Sequence, residues 1–533
     1  MINDPSRPVL VASNRGPVTY GRTEDGLLTA RRGGGGMVSG MTSGLRTVAA
    51  DGGALWLCAA LSDADREAAR RGTRAVGGPG DIPVRMLDIP ERVLDAAYNG
   101  IANEVLWFVH HLLFDTPSQP SFDAGFRLDW GAYVEYNEAF AAALAQESAA
   151  DTRVLIQDYH LALAPRMLRD RCPGARIAHF EHTPWAPPEY YRLLPDAAAT
   201  AILDGMLGAD QAGFLDQRWA DAFLDCCETV LGAKVTRDGD GAGEVSYRGR
   251  VTQVGVHPLG VDAVELRARS RAADVRAQAD AIAGLAPGRQ LIVRVDRTEL
   301  SKNIVRGFAA YRELLRTRPQ WRGRVTHLAF AYPSRSGLPE YQAYTAGVRE
   351  LAEAINEEFA THEWSPLILD VRDDYPRSLA ACELADVLLV NPIRDGMNLV
   401  AEEGPILSER GSALVLSREA GAAALIGEEA LLVNPYDITA TADALHAGLS
   451  MTTGERRRRS AAIAEIASAR APRRWLTEQV EALGLQRVVL ASPLHLAARI
   501  RSELPRGRDR AATIGLVGNV HLQGVEFPII LID

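Results

Sequence analysis

Lysine is scarce in this sequence, and cysteine is rare. Of 58 basic residues among 533, only Lys234 and Lys302 are lysines. Arginine supplies almost all of the positive charge. Each of the two lysines is therefore a candidate for a position where a compact ammonium is needed instead of a planar guanidinium. The five cysteines are scattered and form no Cys-x-x-Cys pair, which excludes a disulfide framework or a zinc site of that type and predicts reduced thiols.

Long apolar runs and a surplus of basic charge are also missing. No stretch approaches the roughly 18 apolar residues of a membrane span, and the first residues carry no cationic segment followed by an apolar run. The net charge of -10 repels nucleic acid and anionic membranes. We therefore expect a cytoplasmic protein without nucleic-acid or membrane partners. The sequence does not fix the oligomeric state, and a homo-oligomer is compatible with it.

The sequence does contain short apolar runs that alternate with helical patterns along most of its length. This alternation predicts an α/β fold with parallel sheets covered on both faces. We predict four segments: an N-terminal domain over 1–262, a second domain over 263–470, a helix over 471–485 that crosses back, and an unassigned tail over 486–533. Ligands of such folds bind beyond the carboxyl ends of strands and between domains, so a cleft between the halves is the expected site.

The segment Asn391–Glu403 follows an apolar strand and leads into a helical pattern. A tight turn over 396–399 at a helix N-terminus offers backbone N–H groups to a phosphate. Glu403 lies one helical turn further on, where its carboxylate can accept hydrogen bonds from two ribose hydroxyls. Asp395 is then available for sugar hydroxyls. The alternative is that Asp395 is a helix N-cap and Glu403 is solvated.

The segment Arg294–Lys302 ends another strand and places a guanidinium and the rare ammonium where both can meet one diphosphate. Two cations there would neutralise the charge of a departing nucleotide diphosphate. The alternative is a surface salt-bridge cluster. Near the start, Gly33–Gly36 permits a close approach of backbone to a ligand, although a flexible surface loop is an equal interpretation. Its spacing fits neither the dinucleotide fingerprint nor the P-loop.

Polar residues also follow strands in the first half. Asp158 and His182 stand at adjacent predicted strand ends, which indicates a wall that binds hydroxyl groups. Arg15 and Arg335 are strand-end arginines, one from each half, that can clamp a second anion. No metal-binding motif is present, so we expect no metal and no cofactor.

Together these segments resemble the trehalose-6-phosphate synthases, which are retaining glycosyltransferases with two facing Rossmann-like domains and an interdomain cleft, the GT-B architecture. The resemblance covers about residues 8 to 484. It is carried by SNRGPV, YNGIANEVLW, QDYHL, FEHTPWAPPEYY, GFLDQRWADAFLDC, RVDRTELSK, PSR, NPIRDGMNLVAEE, EAGAAA and LLVNPYD.

The resemblance implies transfer of glucose from a nucleotide-glucose to glucose 6-phosphate, which gives trehalose 6-phosphate with retention of configuration. In this family no carboxylate nucleophile is assigned, and the departing diphosphate is thought to deprotonate the acceptor. The implied residues fall into three groups, which are catalytic (Asp158, His182, Arg294, Lys302, Asp395), donor-binding (Gly34, Gly35, Gly396, Met397, Asn398, Leu399, Glu403) and acceptor-binding (Arg15, Tyr98, Trp107, Arg335).

The sequence departs from the family pattern at several points. The segment between Asp296 and Ser301 is three residues longer than in the family's usual R-x-D-Y-S-K, so the route to Lys302 differs. Trp56 is followed by Leu-Cys-Ala-Ala instead of the usual glycine-tryptophan pair, Phe108 replaces a proline, and Leu112 replaces a tyrosine. The last two changes lie on the acceptor side and put the identity of the acceptor in question.

The donor base is a separate hypothesis. Asp373 or Asp374 precedes a helix beside the donor strand and can accept guanine N–H groups, which predicts GDP-glucose in preference to UDP-glucose. The alternative is helix N-capping.

Three other functions compete with the synthase. One is a pseudoglycosyltransferase that couples a nucleotide-linked cyclitol to an aminocyclitol phosphate, a relative that the chain resembles around 116–122. Another is glycogen-phosphorylase-like chemistry, which needs a lysine bound to pyridoxal phosphate. The third is a non-catalytic sensor of sugar nucleotides.

Overall fold

The structure is a computed structural model. It describes residues 9–23, 25–32, 38, 40–42, 44–45, 53–72, 82–149, 152–238, 242–335, 337–408, 410–483, 514–522 and 525–532. By its contacts the chain divides into two compact units, Met1–Gly484 and Leu485–Asp533.

Nineteen strands are described, and most of the parallel strands are short apolar runs, as strands buried on both faces require. They are β1 (Val9–Ser13), β2 (Val18–Arg22), β3 (Leu28–Arg32), β4 (Ala54–Ala59), β5 (Val84–Leu87), β6 (Arg153–Gln157), β7 (Arg176–Glu181), β8 (Gln211–Phe214), β9 (Lys234–Arg237), β10 (Gly243–Tyr247), β11 (Arg250–Val256), β12 (Gln290–Arg297), β13 (Val325–Tyr332), β14 (Leu367–Asp370), β15 (Val387–Val390), β16 (Ala413–Ser417), β17 (Leu431–Val433), β18 (Ile514–Leu522) and β19 (Val525–Ile532).

Two large sheets organise the first unit. The first has the order β5-β4-β1-β6-β7-β8-β11-β10-β9 and is parallel except at β10 and β9. The second has the order β14-β13-β12-β15-β16-β17 and is parallel throughout. Strands β2 and β3 pair as a separate antiparallel hairpin. The α/β prediction with parallel sheets is confirmed.

Helices connect these strands. The α-helices are Asp63–Arg70, Glu91–Asp95, Trp107–His111, Ala124–Glu147, Ala164–Arg171, Pro188–Tyr191, Asp196–Met206, Gln217–Leu231, Ala263–Ser270, Ala273–Leu285, Ile304–Thr317, Pro339–Phe359, Tyr375–Leu384, Val400–Leu407, Ala423–Ile426, Ile438–Ser450, Thr453–Ser468 and Pro472–Ala482. Single 3-10 turns occupy Tyr159–Leu161, Leu300–Lys302, Pro319–Trp321 and Gly427–Glu429, and Ala96–Leu106 forms a π-helix. Within the described residues, no helix is both long and apolar enough to traverse a bilayer.

The two faces of the second sheet pack into different apolar cores. Val293 of β12 and Leu388 of β15 belong to a core that continues into the first sheet, whereas Ile292 and Leu389, their chain neighbours, fill a second core on the opposite face. This division follows from the strand geometry, because successive side chains point to opposite faces.

The helix Pro472–Ala482 lies against the first sheet. The ring of Trp475 meets that of Phe180 edge-on with centroids 5.0 Å apart, and Arg176 donates to the carbonyl oxygen of Leu483 at 2.8 Å. The domain limits that we predict at residues 262 and 470 stay predictions. In the second unit, β18 and β19 pair as an antiparallel hairpin.

Candidate functional site

The turn after β15 is one of the places where the two halves meet. Gly396 lies so close to the first half that a Cβ added to it would stand 2.0 Å from the carbonyl oxygen of His182. Its own carbonyl oxygen accepts a hydrogen bond of 3.0 Å from the indole Nε1 of Trp219. Only glycine fits at this position, and the contact brings the residues that follow β15 against those that follow β7.

A partly buried ion pair stands beside this turn. The ammonium of Lys302 lies 2.5 Å from Oδ2 of Asp395, and the Asn398 amide donates to the same oxygen at 3.0 Å. Burial alone would lower the pKa of Lys302, but the charges of Asp395 and its acidic neighbours outweigh it and raise that pKa. The helix Val400–Leu407 has Leu399 as its N-cap, so Asp395 does not cap it.

Arg294 does not reach this site, so the prediction that it meets a diphosphate is wrong. Its side chain has no exposed surface. Its Nη2 donates to Oδ2 of Asp296 at 2.8 Å and to the carbonyl oxygen of Lys302 at 2.9 Å. The residue is the fourth from last in β12, a strand that packs on both faces, and a guanidinium there can only contact the core. Arg294 therefore holds the backbone of Lys302 and cannot contact a ligand.

Arg297 has the exposure that Arg294 lacks. It ends β12, its side chain is 47% exposed, and its Nη1 lies 3.1 Å from Oε1 of Glu299. The sequence contained a signal for this residue. Arg297 to Lys302 reads R-T-E-L-S-K, which matches the family's R-x-D-Y-S-K in length, so the three-residue insertion disappears when the pattern starts at Arg297.

Asp158 and His182 come together at adjacent strand ends in the first half. The backbone N–H of Asp158 donates to the carbonyl oxygen of Phe180 at 2.7 Å, and its Oδ1 accepts from the backbone N–H of His182 at 3.4 Å. The backbone φ of Asp158 is 76°. Residues other than glycine rarely adopt this conformation, and it is often found at active sites. Burial alone would raise the pKa of Asp158, but His160 and His182 hold it below its usual range.

Glu181 is a buried carboxyl group next to this pair that sequence reasoning did not single out. Its side chain has no exposed surface, and its Oε1 accepts from the hydroxyl of Thr183 at 2.6 Å. Burial and the neighbouring charge of Asp158 raise the pKa of Glu181 well above its usual range. The pKa values of the two carboxyl groups are therefore shifted in opposite directions, that of Asp158 downward and that of Glu181 upward.

The four predicted acceptor residues form one group. Arg15 donates to the hydroxyl of Tyr98 at 3.1 Å. The guanidinium of Arg335 lies 4.0 Å above the ring of Trp107, and its side chain is 7% exposed. Burial would raise the pKa of Tyr98, but the charges of Arg15 and Arg335 lower it, which places these three residues within electrostatic reach of one another. Arg15 follows β1 of the first sheet, and Arg335 follows β13 of the second sheet.

Two further residues complete this group. Asn103, in the π-helix, accepts from Nε of Arg335 at 2.8 Å, and Tyr341 accepts from its Nη1 at 2.6 Å. Tyr98 lies on the same π-helix, a type of helix that occurs often at functional sites. The segment YNGIANEVLW pointed to this region, but no spacing rule predicted the π-helix or the contact of Asn103 with the other half.

The residues that depart from the family pattern, Trp56, Phe108 and Leu112, lie in different parts of the first half. Trp56 is fully buried and donates to the Ser13 hydroxyl at 2.7 Å, so it belongs to the core. Phe108 is also buried, with its ring centroid 6.5 Å from that of Tyr341. Leu112 has a φ of 56° and ends the helix Trp107–His111. Phe108 is the neighbour of Tyr341, whose hydroxyl accepts a hydrogen bond from Arg335.

The predicted donor residues differ in burial and in their contacts. Met397 is buried, and burial raises the pKa of Glu403 to about 7. Asp374 caps the helix Tyr375–Leu384 by accepting from the backbone N–H of Arg377 at 3.0 Å, as the N-capping alternative predicts. Asp373 is exposed. Gly34 and Gly35 lie outside the described residues.

A cavity of about 770 Å³ lies elsewhere, between the helices Asp63–Arg70 and Ala124–Glu147 and the strand β5. Its lining includes none of the residues discussed above. The candidate site is therefore the contact zone between the two large sheets, and the cavity is separate from it.

Known proteins share both the sequence and the arrangement. Residues 7–484 match the model of glycosyltransferase family 20. The chain belongs to this family. A trehalose-6-phosphate synthase of Mycobacterium avium is 33% identical over 491 residues, which are 89% of this chain and 94% of that protein.

Two solved structures have the same fold. An E. coli protein bound with UDP-2-fluoro glucose is 28% identical with a TM-score of 0.77, and the match covers 90% of this chain and 99% of that one. A UDP-forming α,α-trehalose-phosphate synthase of Burkholderia xenovorans, in complex with glucose-6-phosphate, is 26% identical with a TM-score of 0.77, covering 90% of this chain and 100% of that one.

These comparisons confirm the resemblance to the trehalose-6-phosphate synthases and the GT-B fold with two Rossmann-like domains. The prediction of an enzyme of this family, a glycosyltransferase, is confirmed with them. The roles of the individual residues and the cytoplasmic location stay predictions.

Proposed function

We propose that this family 20 glycosyltransferase transfers glucose from a nucleotide-glucose to glucose 6-phosphate and forms trehalose 6-phosphate with retention of configuration. The observation that carries the proposal is the Lys302–Asp395 pair, because it stands beside the turn whose Gly396 lies against the backbone of His182. A cation for a diphosphate and a carboxylate for sugar hydroxyls are thereby held next to the strand ends of the first half.

On the donor side, Lys302 and Arg297 would bind the diphosphate, with backbone N–H groups of the turn over Met397–Leu399 beside them. The ammonium is a compact charge, and the guanidinium can bind two oxygens at once, so the two cations are complementary. Both would stabilise the negative charge that grows on the diphosphate as the glycosidic bond breaks. Glu403 would accept hydrogen bonds from the ribose hydroxyls.

On the acceptor side, Arg15 and Arg335 would hold the phosphate of glucose 6-phosphate, with Tyr98 and Trp107 along the sugar. The support is that Arg15 bonds to Tyr98 and that Arg335 stacks on Trp107. Because the arginines come from different halves, the acceptor would join the two domains when it binds.

The chemistry then follows from positioning. Asp395 and His182 would bind hydroxyls of the donor glucose, and Asp158 would face the reacting hydroxyl of the acceptor. An oxygen of the leaving diphosphate would accept the proton of that hydroxyl on the face from which it departs, so the new bond forms on the same face as the old one. Fixed charges and orientation supply the rate enhancement.

The donor base is a finer proposal. The carboxylate of Asp374 is committed to the helix N-terminus, which leaves Asp373 for a guanine. A solved relative is named UDP-forming, and another was solved with UDP-2-fluoro glucose. We therefore propose UDP-glucose as the donor to test first, with GDP-glucose as its competitor.

The experiment is a comparison of turnover with UDP-glucose and GDP-glucose, each with glucose 6-phosphate, followed by identification of the product and its anomeric configuration. Formation of α,α-linked trehalose 6-phosphate supports the proposal. A product of inverted configuration would contradict the mechanism, and strong selectivity for the guanine nucleotide would restore the role of Asp373.

A further inference from the structure

One carboxylate stands between the arginines that we assign to the two substrates. The side chain of Glu299 has no exposed surface. Its Oε1 lies 3.1 Å from Nη1 of Arg297 and 3.4 Å from Nη1 of Arg335, and it accepts from the hydroxyl of Ser334 at 2.9 Å. A single oxygen therefore contacts a cation on the donor side and a cation on the acceptor side.

The charge on this carboxylate is maintained in spite of burial. Burial alone would raise the pKa of Glu299, but the charges of Arg297 and Arg335 outweigh it and lower the pKa to about 2. An ionised carboxylate in a buried position costs free energy unless it is paired, so its two arginines and the serine are what keep it there. The dependence is mutual, since two guanidinium groups this close repel each other without an anion between them.

The two arginines differ in what else they touch. Arg335 is held by Asn103, Tyr341 and the ring of Trp107, and its side chain is almost fully buried. Arg297 is half-exposed, and Glu299 is the ion-pair partner that fixes its Nη1. Loss of the carboxylate would therefore free Arg297 and leave a buried Arg335 without its counter-charge.

We propose that Glu299 is a positioning residue for both substrates, which sets the orientation of Arg297 toward the donor diphosphate and of Arg335 toward the acceptor phosphate. The inference rests on the proposed function, because it needs an anion at each arginine. Glu299 touches neither substrate in this proposal and acts only through the two guanidinium groups.

The decisive variant is Glu299→Gln, which keeps the size of the side chain and removes its charge. We expect the KM for the nucleotide-glucose and the KM for glucose 6-phosphate to rise together, each by about tenfold, since a charge-assisted contact is lost at each arginine. The kcat should change less than either KM. Glu299→Asp keeps the charge on a shorter side chain, and its KM values should lie between those of the wild type and of Glu299→Gln.

Glu358 provides a matched control. It also joins two arginines, with Oε2 at 2.6 Å from Arg312 and Oε1 at 2.6 Å from Arg316, but it lies where the helices Ile304–Thr317 and Pro339–Phe359 face each other at the surface. Glu358→Gln removes the same kind of carboxylate from outside the site, so it should leave both KM values unchanged.

The inference is overturned if Glu299→Gln alters the KM of one substrate only, if it alters neither, or if Glu299→Asp behaves like Glu299→Gln. Should Glu299→Gln fail to fold, Ser334→Ala replaces it, because this variant removes only the hydroxyl that Glu299 accepts from. Smaller but joint rises of both KM values are then expected, and a rise for one substrate alone would count against the inference.

Failure of the proposed function would look different, because the wild-type chain itself would form no trehalose 6-phosphate. In that case the same variants are compared by calorimetric binding of UDP and of glucose 6-phosphate. Weaker binding of both by Glu299→Gln than by wild type supports the positioning role, and equal binding overturns it.

Discussion

The ammonium of Lys302 lies 2.5 Å from a carboxylate oxygen of Asp395, although 93 residues separate them in the chain. Lys302 follows β12 and Asp395 follows β15, and these two strands are neighbours in the second sheet. Parallel strands bring their carboxyl ends to one edge, so two loops that are distant in sequence supply one ion pair.

Replacing this ammonium should abolish most of the turnover. We expect Lys302→Ala to lower kcat by about 100-fold to 1,000-fold, the range seen when one preorganised electrostatic group is removed from an active site. Lys302→Arg should recover little, because a planar fork does not replace a point charge held against Asp395. Steady-state kinetics measure both. Turnover of Lys302→Ala near the wild-type value would refute the donor-site assignment.

Alanine variants of Arg297 and Arg294 should differ, the first mainly in turnover and the second mainly in stability. Arg297→Ala removes a half-exposed cation and leaves Glu299 paired with Arg335 and Ser334, so we expect a loss of kcat of about 100-fold and a smaller loss of stability than Arg294→Ala causes. Arg294→Ala leaves Asp296 as a buried charge without its partner, so the free energy of unfolding should fall by about 3 kcal/mol. Denaturant unfolding and kinetics on the two variants test this contrast. The opposite pattern would reinstate Arg294 as the ligand-binding arginine.

Acceptor binding should respond to Arg15. Since Arg15 is exposed and bonds to Tyr98, Arg15→Ala should raise the KM for glucose 6-phosphate by about tenfold or more and leave the KM for the nucleotide-glucose nearly unchanged. Glucose without a phosphate should be used equally poorly by the variant and the wild type. A variant with an unaltered KM for glucose 6-phosphate would remove Arg15 from the acceptor site.

Glu403 should make nucleotide binding depend on pH. Its pKa is raised by burial to about 7, so the group is neutral below this value and becomes a hydrogen-bond acceptor for ribose hydroxyls as the pH rises through it. We expect the affinity for UDP to increase from pH 6 to pH 8, about tenfold per unit at most in this range, and Glu403→Gln to flatten the profile. Calorimetry at several pH values tests this.

The stability of the free protein should change in the opposite direction. Because the folded pKa of Glu403 lies above its ordinary value of 4.5, the folded state binds more protons between these values, and this group lowers stability as the pH rises from 4.5 to about 7. Glu403→Gln should reduce that slope. A UDP affinity that is independent of pH in the wild type would contradict the role of Glu403.

The fold and the outline of the site could be predicted from the sequence because both depend on local patterns. Apolar runs predicted the central strands, and polar residues after them predicted that Asp158, His182, Lys302 and Asp395 lie at strand ends. The antiparallel strands β9 and β10 were not predicted, since Lys234–Arg237 and Gly243–Tyr247 carry no long apolar run.

The choice between Arg294 and Arg297 depended on where the strand ends. Periodicity leaves that end uncertain by a few residues. Burial of Arg294 needs both faces of β12 to be covered, and this is a property of the whole sheet. The contact of Glu299 with both Arg297 and Arg335 could not be predicted from the sequence either, because it depends on Ser334 and Arg335 of a different loop.

The most direct measurement is the matrix of products from UDP-glucose and GDP-glucose with glucose 6-phosphate, glucose and an aminocyclitol phosphate as acceptors. We expect α,α-linked trehalose 6-phosphate from a nucleotide-glucose and glucose 6-phosphate, and little product from unphosphorylated glucose. Turnover only with the aminocyclitol phosphate, or no transfer from either nucleotide sugar, would contradict this expectation.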